Sequence, residues 1–225
     1  MCGRARLATD VSEIKIQFGI PDTAPLPNFP ARWNIAPTAM LPMVRRNPES
    51  GERHLTMARW GLVPAWSPTE VTKYATFNAR AETLATAPAF RGAWRAGRRC
   101  LIPVDGYYEW RREGKAKMPH AVGLASGMLM ALGGLWESWR SPTGEVLRSF
   151  TIVTMPSTGR LATLHDRMPL IVESPHWPAW LGETAASPAS LLNPCPDEIL
   201  DIWPVGPAVG NVRNEGPTLV ARLAA

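Results

Sequence analysis

Proline and tryptophan together limit what this chain can fold into. With 23 prolines and 10 tryptophans in 225 residues, a helical bundle is a poor solution. Each proline removes a backbone donor and fixes φ. Short strands joined by shaped loops tolerate both residue types far better.

A chain of this length buries one good core, so a single domain over residues 1–225 is expected. Hydrophobic residues make up 45% and charged residues 19%, which is globular and excludes wholesale disorder. No apolar run spans a bilayer, and Asp10, Ser12 and Glu13 come too early for a signal peptide. The expected address is cytoplasmic and nucleoid-associated.

Local signals predict an α+β, antiparallel strand-rich domain with barrel-like sheets and short peripheral helices. Asp10 and Glu13 frame a helix start, and Ile14 and Phe18 share a face before Gly19, predicting a helix over 11–18. A proline-rich loop follows over 21–30. Residues 40–45 and 53–60 are predicted strands of a meander turning at 47–51. Residues 60–66 form a shaped loop carrying Trp60 and Trp66. A short helix is expected between Pro88 and Gly97. Residues 100–104 are an apolar strand that 106–110 continue, with a hairpin turn over 111–117. Core strands are predicted over 128–136 and 149–155, with further strands at 170–172, 199–205 and 218–220. Ser157 is expected to cap a helix bearing Leu161 and Leu164. Ser174-Pro175 and Ser187-Pro188 each mark a short helix start.

Three cysteines, Cys2, Cys100 and Cys195, are too few and too scattered for a disulfide framework or a zinc site. None of the four histidines is paired at a metal-ligand spacing, so neither a metal nor a cofactor is expected. The formal net charge of +5, carried mostly by arginine, fits a polyanion partner or a solvated basic surface.

Position 2 carries distinctive chemistry. Once Met1 is removed, Cys2 presents an α-amine and a thiol on adjacent carbons. Such a 1,2-aminothiol captures an aldehyde as an imine that the thiol closes to a thiazolidine.

Three further stretches place polar residues among apolar or proline-framed neighbours. In 77–83, an extended chain projects Asn78, Arg80 and Glu82 to one side, as a site or as an exposed face with an Arg–Glu pair. In 105–110, Glu109 lies between Tyr108 and Trp110, where it is either desolvated for proton transfer or a structural ion-pair partner. In 165–169, His165 is of the one side-chain type suited to proton exchange near neutral pH, and Asp166 orients it or caps a turn.

These pieces, in order, resemble the SOS response-associated peptidase (SRAP) family. The matching motifs are Met1-Cys2-Gly3-Arg4, Asn34-Ile35-Ala36-Pro37-Thr38, 60–66, 78–83, 99–110, Gly134-Leu135-Trp136-Glu137 and His165-Asp166-Arg167-Met168-Pro169. Gly206 stands where the family usually has serine. The resemblance implies covalent capture of abasic sites in single-stranded DNA, as a thiazolidine crosslink at Cys2 formed during the DNA damage response. Lyase-like chemistry and self-removal of Met1 as a peptidase are implied with it. By resemblance, Glu109 shuttles protons, His165 assists at the sugar hydroxyl, and Asn78 holds the opened sugar. Arg80, Arg4 and Arg167 would clamp flanking phosphates. Trp66 stacks on a base or belongs to the core. The expected protein is a monomer whose partner is single-stranded DNA. The rivals are an N-terminal-nucleophile cysteine peptidase and a non-covalent single-strand-binding module.

Overall fold

Helix α1 (Val11–Phe18) shows how closely local chemistry sets the elements. The Asp10 side chain accepts from the Ser12 backbone N–H, Ile14 and Phe18 are buried, and Gly19 ends the helix at φ 63°. The computed structural model describes residues 2–114 and 116–223. Among them the strands are β1 (Ala5–Leu7), β2 (Arg32–Ile35), β3 (Met40–Arg46), β4 (Arg53–Trp60), β5 (Asn78–Arg80) and β6 (Arg99–Val104). They continue as β7 (Gly106–Glu113), β8 (Ala116–Leu124), β9 (Met130–Arg140), β10 (Val146–Pro156), β11 (Arg167–Pro169) and β12 (Leu200–Pro204). Two five-residue helices, α2 (Arg91–Arg95) and α3 (Trp177–Leu181), complete the regular elements apart from short 3-10 turns.

One sheet closes on itself. Its order is β11-β10-β4-β3-β6-β9, and β9 pairs back onto β10, so β10, β4, β3, β6 and β9 form a barrel. Inside it Trp60 stacks on Phe150 at 6.4 Å. Strand β10 runs past the barrel, where β5 and β11 attach to residues 152–156. The second sheet, β12-β8-β7-β1-β2, is antiparallel throughout. The fold is thus the expected strand-rich α+β architecture with a barrel and short helices.

Several expectations change for identifiable reasons. Residues 100–110 are two strands: β6 belongs to the barrel and β7 to the second sheet. The break is fixed by the Asp105 carboxylate, which accepts from the Ala8 and Thr9 backbone N–H groups and the Thr9 hydroxyl. Gly106 must lack a side chain, since a Cβ there would lie 2.2 Å from the Val122 carbonyl oxygen. Residues 77–83 are not extended throughout; Ala81–Thr83 is a 3-10 turn that takes Glu82 off the side shared by Asn78 and Arg80. Ser157 does not cap a helix: its N–H continues the ladder to the Asp166 carbonyl, and the 3-10 turn that follows (Gly159–Thr163) starts from Thr158. The strand expected at 170–172 sits earlier, as β11, and Ile171 keeps a single bridge to Leu132. Residues 217–220 form a 3-10 turn.

The barrel seam gives a direct test. A Cβ on Gly134 would lie 2.6 Å from both the Thr151 carbonyl oxygen and the Ile102 Cδ1. Gly134→Ala is therefore expected to destabilise the fold by about 1–3 kcal/mol, read as a lower urea midpoint with an unchanged slope.

Candidate active site

The N-terminal segment is drawn into the molecule by strand pairing. β1 lies between β2 and β7, with Ala5 opposite Tyr107, and the Tyr108 N–H donates to the Arg4 carbonyl at 2.8 Å. This antiparallel register carries the residues before Arg4 alongside Glu109. Cys2 is fully buried, and the Asn78 side-chain N–H donates to its carbonyl oxygen at 2.7 Å. A residue from the barrel extension and one from the second sheet thus meet at Cys2. Met1, and with it the expected removal of that residue, lies outside the described residues.

Glu109 is buried at 6% exposure. Tyr108 and Trp110, its sequence neighbours, face the opposite side of β7 in a separate apolar cluster, so they do not desolvate it. Its carboxylate is close enough to Cys2 to matter electrostatically: burial pushes the Cys2 thiol well up, and the Glu109 charge adds to the rise. At neutral pH that thiol keeps its proton.

Two neighbours were not legible beforehand. Tyr107 shares the Glu109 face of β7, and its buried hydroxyl has no hydrogen-bond partner among the described residues. Its pKa is raised well above the ordinary range, first by burial and then by the charges of Cys2 and Glu109. His120 stands directly across from Glu109 on β8, buried, with Nδ1 3.0 Å from the Met118 carbonyl oxygen. A carbonyl only accepts, so Nδ1 carries the proton. The only sequence signal for either was its spacing on a strand, which every core residue shares.

His165 stands just before β11. Its Nδ1 accepts from the Arg167 backbone N–H at 2.9 Å and lies 2.6 Å from the Asp166 carboxylate. One nitrogen serves one of these at a time: bare, Nδ1 takes the N–H, and carrying a hydrogen it donates to the carboxylate. With Nδ1 accepting the N–H, Nε2 holds the hydrogen. His165 makes no hydrogen bond to Cys2 or Asn78 among the described residues.

The arginines divide sharply. Arg167 is 8% exposed, forks onto Glu82, and donates to the Thr154 carbonyl at 2.6 Å. It holds the turn after β5 against β10, and its guanidinium is turned inward onto Glu82 and Thr154. Arg4 donates to the Asn34 side chain at 2.7 Å and to the Val209 carbonyl at 2.6 Å, and its guanidinium lies 5.6 Å from the Trp110 ring. It staples the first residues to the C-terminal segment. Arg80, by contrast, is exposed at the end of β5, and its guanidinium has no hydrogen-bond partner among the described residues. Trp66 is 68% exposed on a loop anchored by the Trp139 indole N–H on the Ser67 carbonyl, at 2.8 Å. Of the two indoles in that loop, Trp60 is the core residue.

Among the described residues no cluster of His, Cys, Asp and Glu could hold a metal ion. No helix among them is long and apolar enough to cross a membrane.

Comparison with known proteins identifies the chain's relatives. The family described as SOS response associated peptidase (SRAP) matches residues 1–212. The abasic site processing protein YoqW of Bacillus subtilis (strain 168) is 34% identical over 224 residues, covering 98% of this chain and 99% of its own. The abasic site processing protein HMCES of Xenopus tropicalis is 30% identical over 205 residues, and the match covers 60% of its length. A crystal structure from Bacteroides thetaiotaomicron has a TM-score of 0.85 over 99% of this chain at 23% identity, which establishes a shared fold. One from Bordetella bronchiseptica has a TM-score of 0.76 at 27% identity, covering 91% of this chain and 100% of its own.

The Arg167 fork holds the Glu82 carboxyl down, from 4.5 to about 2. A carboxyl lowered in the folded state stabilises the fold above its unfolded pKa, and that contribution is lost as pH falls toward 2. Glu82 is half exposed, so screening limits the effect to about 1 kcal/mol or less. Thermal melts from pH 5 to pH 2 should therefore fall less steeply for Glu82→Gln than for the parent, the two converging at the acid end.

Proposed function

This chain belongs to the SOS response associated peptidase family, and we propose on that premise that it captures abasic sites in single-stranded DNA through Cys2. The observation that carries the reading is the meeting of Asn78 and Glu109, from two different sheets, at Cys2.

The reaction needs the Cys2 amine free. An α-amine with a pKa of roughly 7.7–8.0 has a usable neutral fraction at pH 7. It adds to the aldehyde carbon of the ring-opened deoxyribose, giving a carbinolamine. Loss of one water leaves the imine. The thiol sulfur then bonds to the imine carbon, and its proton ends on the nitrogen, closing the thiazolidine. One water is released overall.

Each neighbour has a task in this sequence. The buried thiol holds its proton at neutral pH, so ring closure needs a base beside it, and Glu109 is placed to relay that proton to nitrogen. The same carboxyl, once protonated, supplies the acid for loss of water. Asn78 fixes the Cys2 carbonyl, and thereby the direction of the amine and thiol, within reach of the opened sugar. His165 offers a donor at Nε2 to the sugar hydroxyl. Ring closure is intramolecular, so effective molarities of about 10⁵ M or more favour it once the imine exists. The open guanidinium of Arg80 suits a flanking phosphate and the open indole of Trp66 suits a neighbouring base, which is worth roughly 1–3 kcal/mol.

Incubation with an abasic oligonucleotide is expected to give a heat- and SDS-resistant adduct, absent for Cys2→Ala, with a mass increase confined to the N-terminal peptide. No adduct from protein with a free Cys2 amine would remove the reading. Glu109→Gln should slow adduct formation or its reversal by about 10²-fold or more. If neither rate changes, Glu109 has no part in the proton transfers. Trp66→Ala is expected to weaken non-covalent binding of an intact strand by about tenfold while leaving the melting temperature unchanged.

A further inference from the structure

A ring of basic residues rims one end of the barrel, about 13 Å along β10 from the level of Asn78, at ~3.3 Å for each residue. Strand register defines it. Arg45 on β3 pairs with His54 on β4 and with Cys100 on β6. On β10, Arg148 stands two residues before Phe150, the partner of Trp136 on β9. These positions share the face that Trp60 and Phe150 fill further inside. Arg45, His54, Trp136 and Arg148 therefore stand at the barrel mouth. Arg98, just ahead of β6, joins them: its guanidinium lies 6.0 Å from the Trp136 ring, and that of Arg45 lies 5.0 Å from the same ring.

The charge here is unbalanced. Arg98 is paired with Glu137. Arg45 and Arg148 have no carboxylate or hydrogen-bond partner among the described residues, and the Arg45 Nε is wholly buried with nothing to donate to. The half-buried Arg45 guanidinium has its pKa lowered, first by burial and then by the charge of Arg148. Contact with Trp136 offsets part of that cost. An anion between the two guanidiniums would remove the rest, accepting N–H bonds from both.

We propose that the barrel mouth binds a phosphoryl anion between Arg45 and Arg148, with Trp136 holding the Arg45 guanidinium in place. The chemistry is that of tetrahedral phosphate oxygens, supplied by the backbone of a nucleic-acid strand or by a free polyphosphate. Neither source involves an aldehyde, so the site stands whether or not Cys2 captures abasic DNA.

The test uses the full chain and two probes: a fluorescent single-stranded 20-mer without an abasic site, and inorganic pyrophosphate by calorimetry. Arg45→Met and Arg148→Glu are each expected to weaken at least one probe by about tenfold or more. For the 20-mer, the slope of log affinity against log salt should fall by about 0.7 for each contact removed. Loss confined to the 20-mer identifies a strand as the source, and loss confined to pyrophosphate identifies a small anion. Arg148→Glu places a carboxylate opposite Arg45, so its melting temperature should rise as binding falls, which separates loss of the site from loss of the fold. Wild-type affinity for both probes in both variants, or no binding of either probe by the parent, overturns the proposal.

Discussion

A segment close to the end of a chain has to be pinned, because little covalent structure holds it on one side. Ordering such a segment costs about 1–2 kcal/mol of backbone entropy for each residue. Here strand pairing, side-chain burial and one hydrogen bond meet that cost. β1 is clasped between β2 and β7, Cys2 is buried, and Asn78 holds the Cys2 carbonyl at 2.7 Å. Arg4 adds a second hold through Asn34 and the Val209 carbonyl. Asn34 itself donates to the Asn211 and Asn214 carbonyls at 2.9 and 3.0 Å, so the two ends of the chain are fastened to one another.

The site exists because the chain changes sheets between Val104 and Gly106. Had 100–110 run on as one strand, Glu109 would belong to the barrel, away from β1. The Asp105 carboxylate instead ties the crossover to Ala8 and Thr9, directly after β1. The same link that bends the chain therefore sets the register of β1 against β7, and that register brings Glu109 to Cys2. Asn78 arrives by another route, through parallel pairing of β5 with the extension of β10.

The basic composition resolves into two populations. Many arginines are structural struts: Arg53 forks onto Glu183 and donates to the Phe18 carbonyl, Arg160 grips Asp197 at the surface, and Arg167 grips Glu82. A smaller group, including Arg80, Arg45 and Arg148, has guanidiniums without hydrogen-bond partners among the described residues. The positive charge balance is thus divided, at different positions, between arginines tied to carboxylates and arginines without such ties among the described residues.

Much of this was legible in the sequence. The capping pattern around Asp10 and Gly19, the turn residues at 47–51 and the alternation in 53–60 act within a few residues, so periodicity and side-chain chemistry place α1, β3 and β4 without reference to the rest. The aminothiol expected of Cys2 once Met1 is removed is likewise covalent chemistry of a single residue. Tertiary structure alone decided what lies beside it. Whether Glu109 faces Cys2 or the Tyr108 cluster, whether Arg167 meets Glu82, and whether Tyr107 and His120 border the site all depend on pairings between residues as many as 102 positions apart. Local propensity carries no information over such separations. Backbone hydrogen bonding across strands and the burial of one face of each sheet supply it.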